Sequence, residues 1–518
     1  MSRNKLSKFS YLYHILISIS VLSFVFLFSF NMTSCKEAQR QSAVERVQIG
    51  ISPKPRIEVY GEDKIILRNA NDVDLSVILE DFSIDNSYPL KRGLDLFAKR
   101  LKVLGKGSIE YSRESAMPQL SIQKCTEKEL SKLFRENNVK ESLGSDKLRQ
   151  AYFLEAKQTG GSTASVVLKA CDSPGIFYAF VSLCQLIEVN EANELYIPQI
   201  TICDWPAVNR RLAKAKASHI NSTESIRKFA AWMPVFKLNM IALMDYSENS
   251  REPTELFLEN VKIICAEEKQ KDILSTIVYF CPFRGNNFDF NSDKDIKAYS
   301  EFLLWIMAQG ADGIEVDYND WGNKTDVPIE KVLNIAYTAL DKEYPESMIL
   351  FCPPQKGPIK YRGPATDEAS RVLSLTPKKV WPIWVGAPRA DSSIMTSTKV
   401  NNWINKAGRK PFLWVNRVYP TGLFSYPLKD NPGAYVFKGE RLTKEIGDLF
   451  EGVHLNMSMS PEKEVHYEQI IPSEFPRVAI EYLATATDFL WNPSDWNANE
   501  SYKRAERFAK IMMPLLEE

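Results

Sequence analysis

The sequence predicts an α/β protein, a (β/α)8 TIM barrel preceded by a smaller mixed α/β domain. Three observations predict it. From about residue 210 onward, eight strand-like runs alternate with helical stretches, over the roughly 250–300 residues that such a barrel needs. No glycine-rich phosphate loop follows the first of those strands, as a doubly wound open sheet would require. Before residue 205 the order is irregular, with strand-like runs, a hairpin signal and amphipathic helices.

The chain has 518 residues, 44% hydrophobic and 25% charged, which is globular and long enough for two domains. Lys plus Arg and Asp plus Glu stand at 65 each, so no basic field argues for nucleic acid. At the start, Arg3, Lys5 and Lys8 precede the apolar run "ILISISVLSFVFLFSF" and then "NMTSC". A charged region, an apolar run and small residues before a cysteine have the layout of an export signal. "MTSC" resembles a bacterial lipobox, which implies cleavage before Cys35 and lipidation of its thiol; an uncleaved membrane anchor is the alternative. Without residues 1–34 the chain has 62 basic and 65 acidic residues, close to neutral. "CKEAQ" after the cleavage point resembles a surface-export signal. The expected location is therefore the bacterial cell envelope, as an outer-membrane lipoprotein that is periplasmic or surface-exposed and touches the membrane through its lipid only.

The expected segments are 1–34 signal peptide, 35–45 linker, 46–205 N-terminal domain and 206–518 barrel. The cysteines other than Cys35 are scattered, with no CxxC pair, and read as small core hydrophobes rather than a disulfide framework. His219, His454 and His466 lack metal-ligand spacing. No metal and no cofactor is expected.

In the N-terminal domain, "PRIEVYG", "KIILRN" and "QLSIQKC" read as strands and "GLDLFAKRLKVL" as an amphipathic helix. "AYFLEA" and "SVVLKAC" flank the turn-rich "KQTGGSTA", a hairpin signal. "SPGIFYAFVSLCQLIEV" reads as a helix with Pro174 in its first turn. The barrel strands are "RRLAKAKA", "NMIALM", "LSTIVYF", "DGIEVDY", "MILFC", "KVWPIWVG", "PFLWVN" and "GVHLNM". Helical stretches lie between them at 224–236, 254–269, 294–309, 328–343, 392–407 and 441–450, and two more follow the last strand.

The fourth strand carries the chemistry-bearing run "GADGIEVDYNDWG". Barrel enzymes work at the C-terminal ends of their strands, where Asn319, Asp320 and Trp321 fall. Side chains alternate along a strand, so Glu315, Asp317 and Asn319 share one face and Ile314, Val316 and Tyr318 the other. The polar face points at the barrel axis, where a carboxylate needs a partner. A plain structural reading makes Glu315 part of an ionic layer, paired with a lysine of "AKAKA".

The stretch "KACDSPGIFYAFVSLCQLI…YIPQITICDWPAVNRR" resembles the N-terminal domain and linker of β-hexosaminidase-type enzymes. The barrel resembles the β-N-acetylglucosaminidase family that includes O-GlcNAcases, glycoside hydrolase family 84. The pieces that carry this are "KLNMIAL", "IVYFCPF…NSDKDIKAYSEFLLWIMAQGADGIEVDYND", "VWPIWVGAPRADSSI", "KPFLWVNRVYP", "LFEGVHLNMSMSPEKEVHY" and "FLWNPSDWNANESYKRA", in family order. The resemblance implies substrate-assisted retaining catalysis on β-linked N-acetylhexosamine, in which the sugar's acetamide oxygen attacks the anomeric carbon. Two adjacent acids after the fourth strand serve that mechanism; here they become Asn319 and Asp320. Asp320 would be the general acid, with Trp321 helping to desolvate it. Asn319 would hold the acetamide, at a cost on the order of 10²–10³ in rate relative to a carboxylate.

"DGIEVDYN" also resembles the fourth strand of chitinase-type barrels; in that register Asp317 supports the acetamide and Asn319 takes the acid position. Other positions depart from the family. The first strand lacks a glycine-aromatic loop, the lysine expected after the second strand is replaced, with "MDYSEN" offering Asp245 and Tyr246, and Thr421 replaces a sugar-binding Asp. Asn416 and Asn456 match family asparagines after strands seven and eight. Trp384, Trp414, Trp321 and Tyr419 are expected around the rim as stacking surfaces for sugar. Two readings stay open: a glycosidase acting on a GlcNAc-type glycan, and a glycan-binding lipoprotein on an impaired or inactive barrel.

Overall fold

The structure is a computed structural model. It describes residues 50–68, 75–80, 88–105, 109–111, 119–159, 163–216, 223–244, 255–266, 273–280, 288–317, 328–352, 372–384, 395–415, 425–428, 431–437, 439–456 and 477–517. Residues Ile51–Glu518 form one compact unit.

Its first part is a mixed sheet. The strands are β1 (Ile57–Arg68), β2 (Leu75–Glu80), β3 (Ile109–Tyr111), β4 (Gln119–Lys124), β5 (Tyr152–Thr159), β6 (Thr163–Ala170), β7 (Glu188–Val189) and β8 (Leu195–Asp204). They run in the order β1-β8-β5-β6-β4-β2-β3, with β7 paired to β8. Helices Tyr88–Val103 and Ser173–Leu186 pack on each other, and the second also lies against β5 and β6. The second is apolar nearly all round and buried from Gly175 to Leu186, as a helix enclosed between layers must be. Asp172 caps it and Pro174 occupies its first turn, where no backbone N–H is needed.

Several details differ from the sequence expectation, and strands β2 and β3 are among the elements it does not place. "PRIEVYG" and "KIILRN" are one long strand, β1, whose pairing with β8 shifts register between Tyr60 and Lys64. Such an irregularity lets a strand bend without ending, so the break in the pattern is local. The helix Glu127–Glu136 was also not anticipated, although Thr126 and Glu129 form a full capping box at its start. Its Leu130 and Phe134 bury a second core with Phe153, Cys203 and Trp205.

The eight expected barrel strands all form. They are β9 (Arg210–Lys216), β10 (Met240–Met244), β11 (Ser275–Phe280), β12 (Gly313–Asp317), β13 (Met348–Cys352), β14 (Val380–Trp384), β15 (Phe412–Val415) and, after an inserted pair, β18 (Gly452–Asn456). All neighbours are parallel and β18 closes on β9. A row followed through these registers from Leu212 returns to the first strand at the position of residue 204, eight residues upstream. That shear is the one a TIM barrel has.

The strands alternate as parallel barrel strands should. Leu212, Met240, Ala242, Ile277, Leu350, Cys352, Ile383, Phe412 and Trp414 fill the lumen. Ile241, Leu243, Ile314, Val316, Ile349, Phe351, Leu413 and Val415 pack outward in the layer shared with the helices. The inserted pair, β16 (Ser425–Leu428) with β17 (Asn431–Phe437), is antiparallel and interrupts the seventh connection. Contacts with the helix Arg477–Trp491 hold β17 in place, including a bond from Phe437 N to Thr485 Oγ1 of 3.2 Å. Among the described residues, no helix is long and apolar enough to cross a membrane.

Candidate functional site

β12 is the fourth barrel strand, and it brings Glu315 and Asp317 into the lumen on the face opposite Ile314 and Val316. Both carboxylates are buried, at 1% and 2% exposure. Burial on this scale demands partners. Glu315 Oε1 accepts from Lys214 Nζ of β9 at 2.9 Å, with both side chains fully enclosed. The ionic layer expected from "AKAKA" is therefore present, and Lys214 is the lysine that supplies it. Glu315 Oε2 has no hydrogen-bond partner among the described residues. Desolvation, which outweighs the attraction of Lys214 and is aided by repulsion from Asp317, pushes the Glu315 carboxyl up to about 7.

Lys214 is also held by rings. Its ammonium lies 3.7 Å from the centre of Tyr279 and 4.3 Å from that of Trp414. Aromatic faces stabilise a cation that has left water. His454 of β18 stacks on Trp414 with centroids 4.8 Å apart. Neither of its ring nitrogens has a partner among the described residues, and burial with the nearby Lys214 charge keeps its pKa well below the ordinary value. His454 is a neutral lumen residue.

Asp317 ends β12 at the barrel's C-terminal face. Tyr279 of β11 donates its hydroxyl to Asp317 Oδ2 at 2.5 Å. The Cys352 thiol of β13, which pairs in register with Asp317, is hydrogen-bonded to it as well. Burial first, then the neighbouring Asp317 and Glu315 charges, raise the Cys352 thiol well above its usual value. Asp317 is thus a fixed acceptor, aimed by two strands other than its own. A carboxylate so held suits orienting a substrate N–H better than exchanging a proton.

The expected site residues fall in three groups. Asp317 lies in the lumen as alternation required. Asn456 ends β18 and pairs in register with Lys214 of β9. Asn319, Asp320, Trp321, Asp245, Asn416, Tyr419 and Cys35 lie outside the described residues. The tryptophans need correction. Trp384 does not face the lumen: it stacks on Trp403 of the helix Ser397–Ala407 at 6.2 Å and touches Phe450 at 5.7 Å. Val380 and Trp384 share the outward face of β14 while Ile383 faces in. Its nearness to the strand end suggested the rim, but its parity puts it in the core. Trp414 does enter the lumen, yet it is 3% exposed and packs on Lys214 and His454 rather than lining an open cleft.

Tyr279 and Cys352 were not singled out from the sequence, and His454 was noted there only as lacking metal-ligand spacing. The signal was available, because the period-two argument applied to β12 works equally on β11, β13 and β18. Among the described residues, no group of three or more His, Cys, Asp or Glu could hold a metal ion.

No protein-family model matches the chain, and no curated protein matches it. Solved structures do match, at low identity. The protein CpGH84B superposes with a TM-score of 0.60 at 16% identity, over 88% of this chain and 74% of its own. The Flavobacterium johnsoniae chitobiase FjGH20 gives 0.61 at 13% identity, over 90% of this chain and 72% of its own. A GH20 exo-β-N-acetylglucosaminidase from Vibrio harveyi, solved in complex with N-acetylglucosamine, gives 0.58 at 12%, over 90% of this chain and 77% of its own. The match spans both the mixed sheet domain and the barrel, and it establishes that the two together have the architecture of GH84 and GH20 β-N-acetylglucosaminidases. At these identities the likeness is one of fold.

Proposed function

We propose that the chain is a glycoside hydrolase acting on β-linked N-acetylhexosamine, of GlcNAc type, by substrate-assisted retaining catalysis. The observation that carries the reading is Asp317, a carboxylate fixed by Tyr279 at the C-terminal end of the fourth barrel strand, on the architecture of β-N-acetylglucosaminidases. Asp317 lies two residues before Asn319 and three before Asp320. In this reading Asp320 protonates the leaving oxygen, while Asn319 and Asp317 orient the acetamide so that its oxygen attacks the anomeric carbon. Asn416, Asn456, Asp245, Trp321 and Tyr419 complete the sugar pocket.

A second reading has one observation in its favour. The lumen below Asp317 is closed by the Lys214–Glu315 ion pair and stacked rings, which fill it as a packed core would. With Asn319 in place of a carboxylate, that suits a barrel that binds glycan without cleaving it. A panel of aryl glycosides separates the two. The hydrolase reading predicts turnover of the β-N-acetylglucosaminide and none of the β-glucoside, which lacks the acetamide nucleophile. Turnover of neither, with saturable binding of N-acetylglucosamine, would favour the binding protein. Lipidation at Cys35 is proposed alongside: wild type should partition into detergent and Cys35→Ser should not.

A further inference from the structure

We infer that Cys125 and Cys171 are a redox pair that closes to a disulfide across the end of β4 and β6. β4 and β6 are adjacent parallel strands paired up to Lys124 opposite Ala170. The last bond of that pairing runs from Cys125 N to Ala170 O at 3.0 Å, and Cys125 and Cys171 are the next residue on each strand. Cys125 and Cys171 therefore leave the ends of two adjacent strands side by side. Neighbouring strands are ~4.8 Å apart, inside the ~4.4–6.8 Å Cα separation that a disulfide spans. The two thiols are near enough for each to shift the ionisation of the other.

Their surroundings favour reaction over burial. Both side chains are half-buried at the edge of the small core around Phe134 and Trp205, whereas Cys184, Cys203, Cys265 and Cys352 are buried. Each cysteine immediately precedes a helix cap, Thr126 for Glu127–Glu136 and Asp172 for Ser173–Leu186. The interaction with Cys171 lowers the Cys125 thiol pKa, and the same interaction raises that of Cys171.

The oxidant is an external disulfide of low molecular weight or on an oxidoreductase. One thiolate of the pair attacks one of its sulfurs, forming a mixed disulfide and releasing the first thiolate. The other cysteine then attacks that protein sulfur and releases the second. Two protein thiols are oxidised, one external disulfide is reduced to two thiols, and the two protons end on those thiols. The bridge ties the starts of two helices on opposite faces of the sheet and encloses β5 and β6.

The test equilibrates the full chain in reduced and oxidised glutathione mixtures, blocks free thiols with N-ethylmaleimide and maps peptides without reduction. The expected result is a linked Cys125–Cys171 peptide pair, lighter by about 2 Da than the two thiols, with a higher thermal midpoint for the oxidised chain. Cys171→Ser should instead accumulate a glutathione adduct on Cys125. Full alkylation of both cysteines at the oxidising end would overturn the inference. So would a stable glutathione adduct on the wild type, or a link from either residue to another cysteine.

Discussion

Glu315 shows what a single buried carboxyl does to the pH response of this molecule. Burial raises its pKa from the ordinary 4.5 to about 7 against the pull of Lys214. A raised folded pKa means that the native state binds the proton more tightly than the unfolded chain. The resulting stability is fully present below about pH 4.5 and is lost as pH rises through about 7. Glu315→Gln cannot titrate, so urea denaturation should show wild type losing on the order of 1–3 kcal/mol more than the variant across that window. His454 has the opposite sign, since its depressed pKa costs stability as pH falls below its ordinary value, but it is present in both proteins and cancels. Parallel pH profiles would show that Glu315 does not titrate as described. The Lys214–Glu315 pair was legible in the sequence because both residues sit at lumen-facing parity on strands that the barrel brings together. Trp384 was misplaced for the complementary reason: nearness to a strand end says nothing about which face a ring occupies.

At the scale of elements, alternation and helical rhythm were enough to place all eight barrel strands and the β5–β6 hairpin. What escaped were elements whose identity is set by partners. β16 and β17 pair only with each other and lean on a later helix, and the helix Glu127–Glu136 is short and mostly polar, with few apolar residues to mark it. The Cys125–Cys171 juxtaposition also depends on strand order, which spacing along the chain does not encode. Gly313 shows how tightly the fourth strand is seated. A Cβ there would lie 2.3 Å from the backbone oxygen of Met348 on β13, its partner in register. Backbone cannot yield as a side-chain tip can, so Gly313→Ala should cost about 1–3 kcal/mol and shift the strand that carries Asp317. Chemical denaturation checks this; an unchanged midpoint would mean that β12 and β13 have slack.

In the whole molecule, the sheet domain and the barrel share a buried polar knot. Asp204, at the end of β8, accepts from Lys237 Nζ at 3.0 Å, Trp491 Nε1 at 2.6 Å and the backbone N–H of Arg56 at 3.0 Å. Lys237 reaches back to the Tyr152 hydroxyl of β5 at 3.1 Å and lies 4.4 Å from the centre of the Trp491 ring. One carboxylate thus joins the sheet, the start of the barrel and the helix Arg477–Trp491. Removing one partner of a buried pair leaves an uncompensated charge, so Asp204→Ala should cost about 3–5 kcal/mol. Calorimetry should show one unfolding transition in wild type, at a lower temperature or split in two in the variant. An unaltered single transition would argue that the knot is idle.

The proposed function belongs to this same scale, because the C-terminal face of the barrel is assembled from strands far apart in sequence. Its central claim is that Asp320 donates the proton to the leaving oxygen, with Asp317 and Asn319 positioning the acetamide. The direct measurement compares wild type with Asp320→Asn on two β-N-acetylglucosaminides, one with an aryl leaving group that needs little protonation and one with an alkyl or sugar leaving group that needs it. The account predicts that the variant loses turnover of the second by a factor on the order of 10²–10⁴ while keeping most of its rate on the first and its affinity for both. Equal rates for variant and wild type on both substrates would contradict it and leave the barrel as a glycan-binding scaffold.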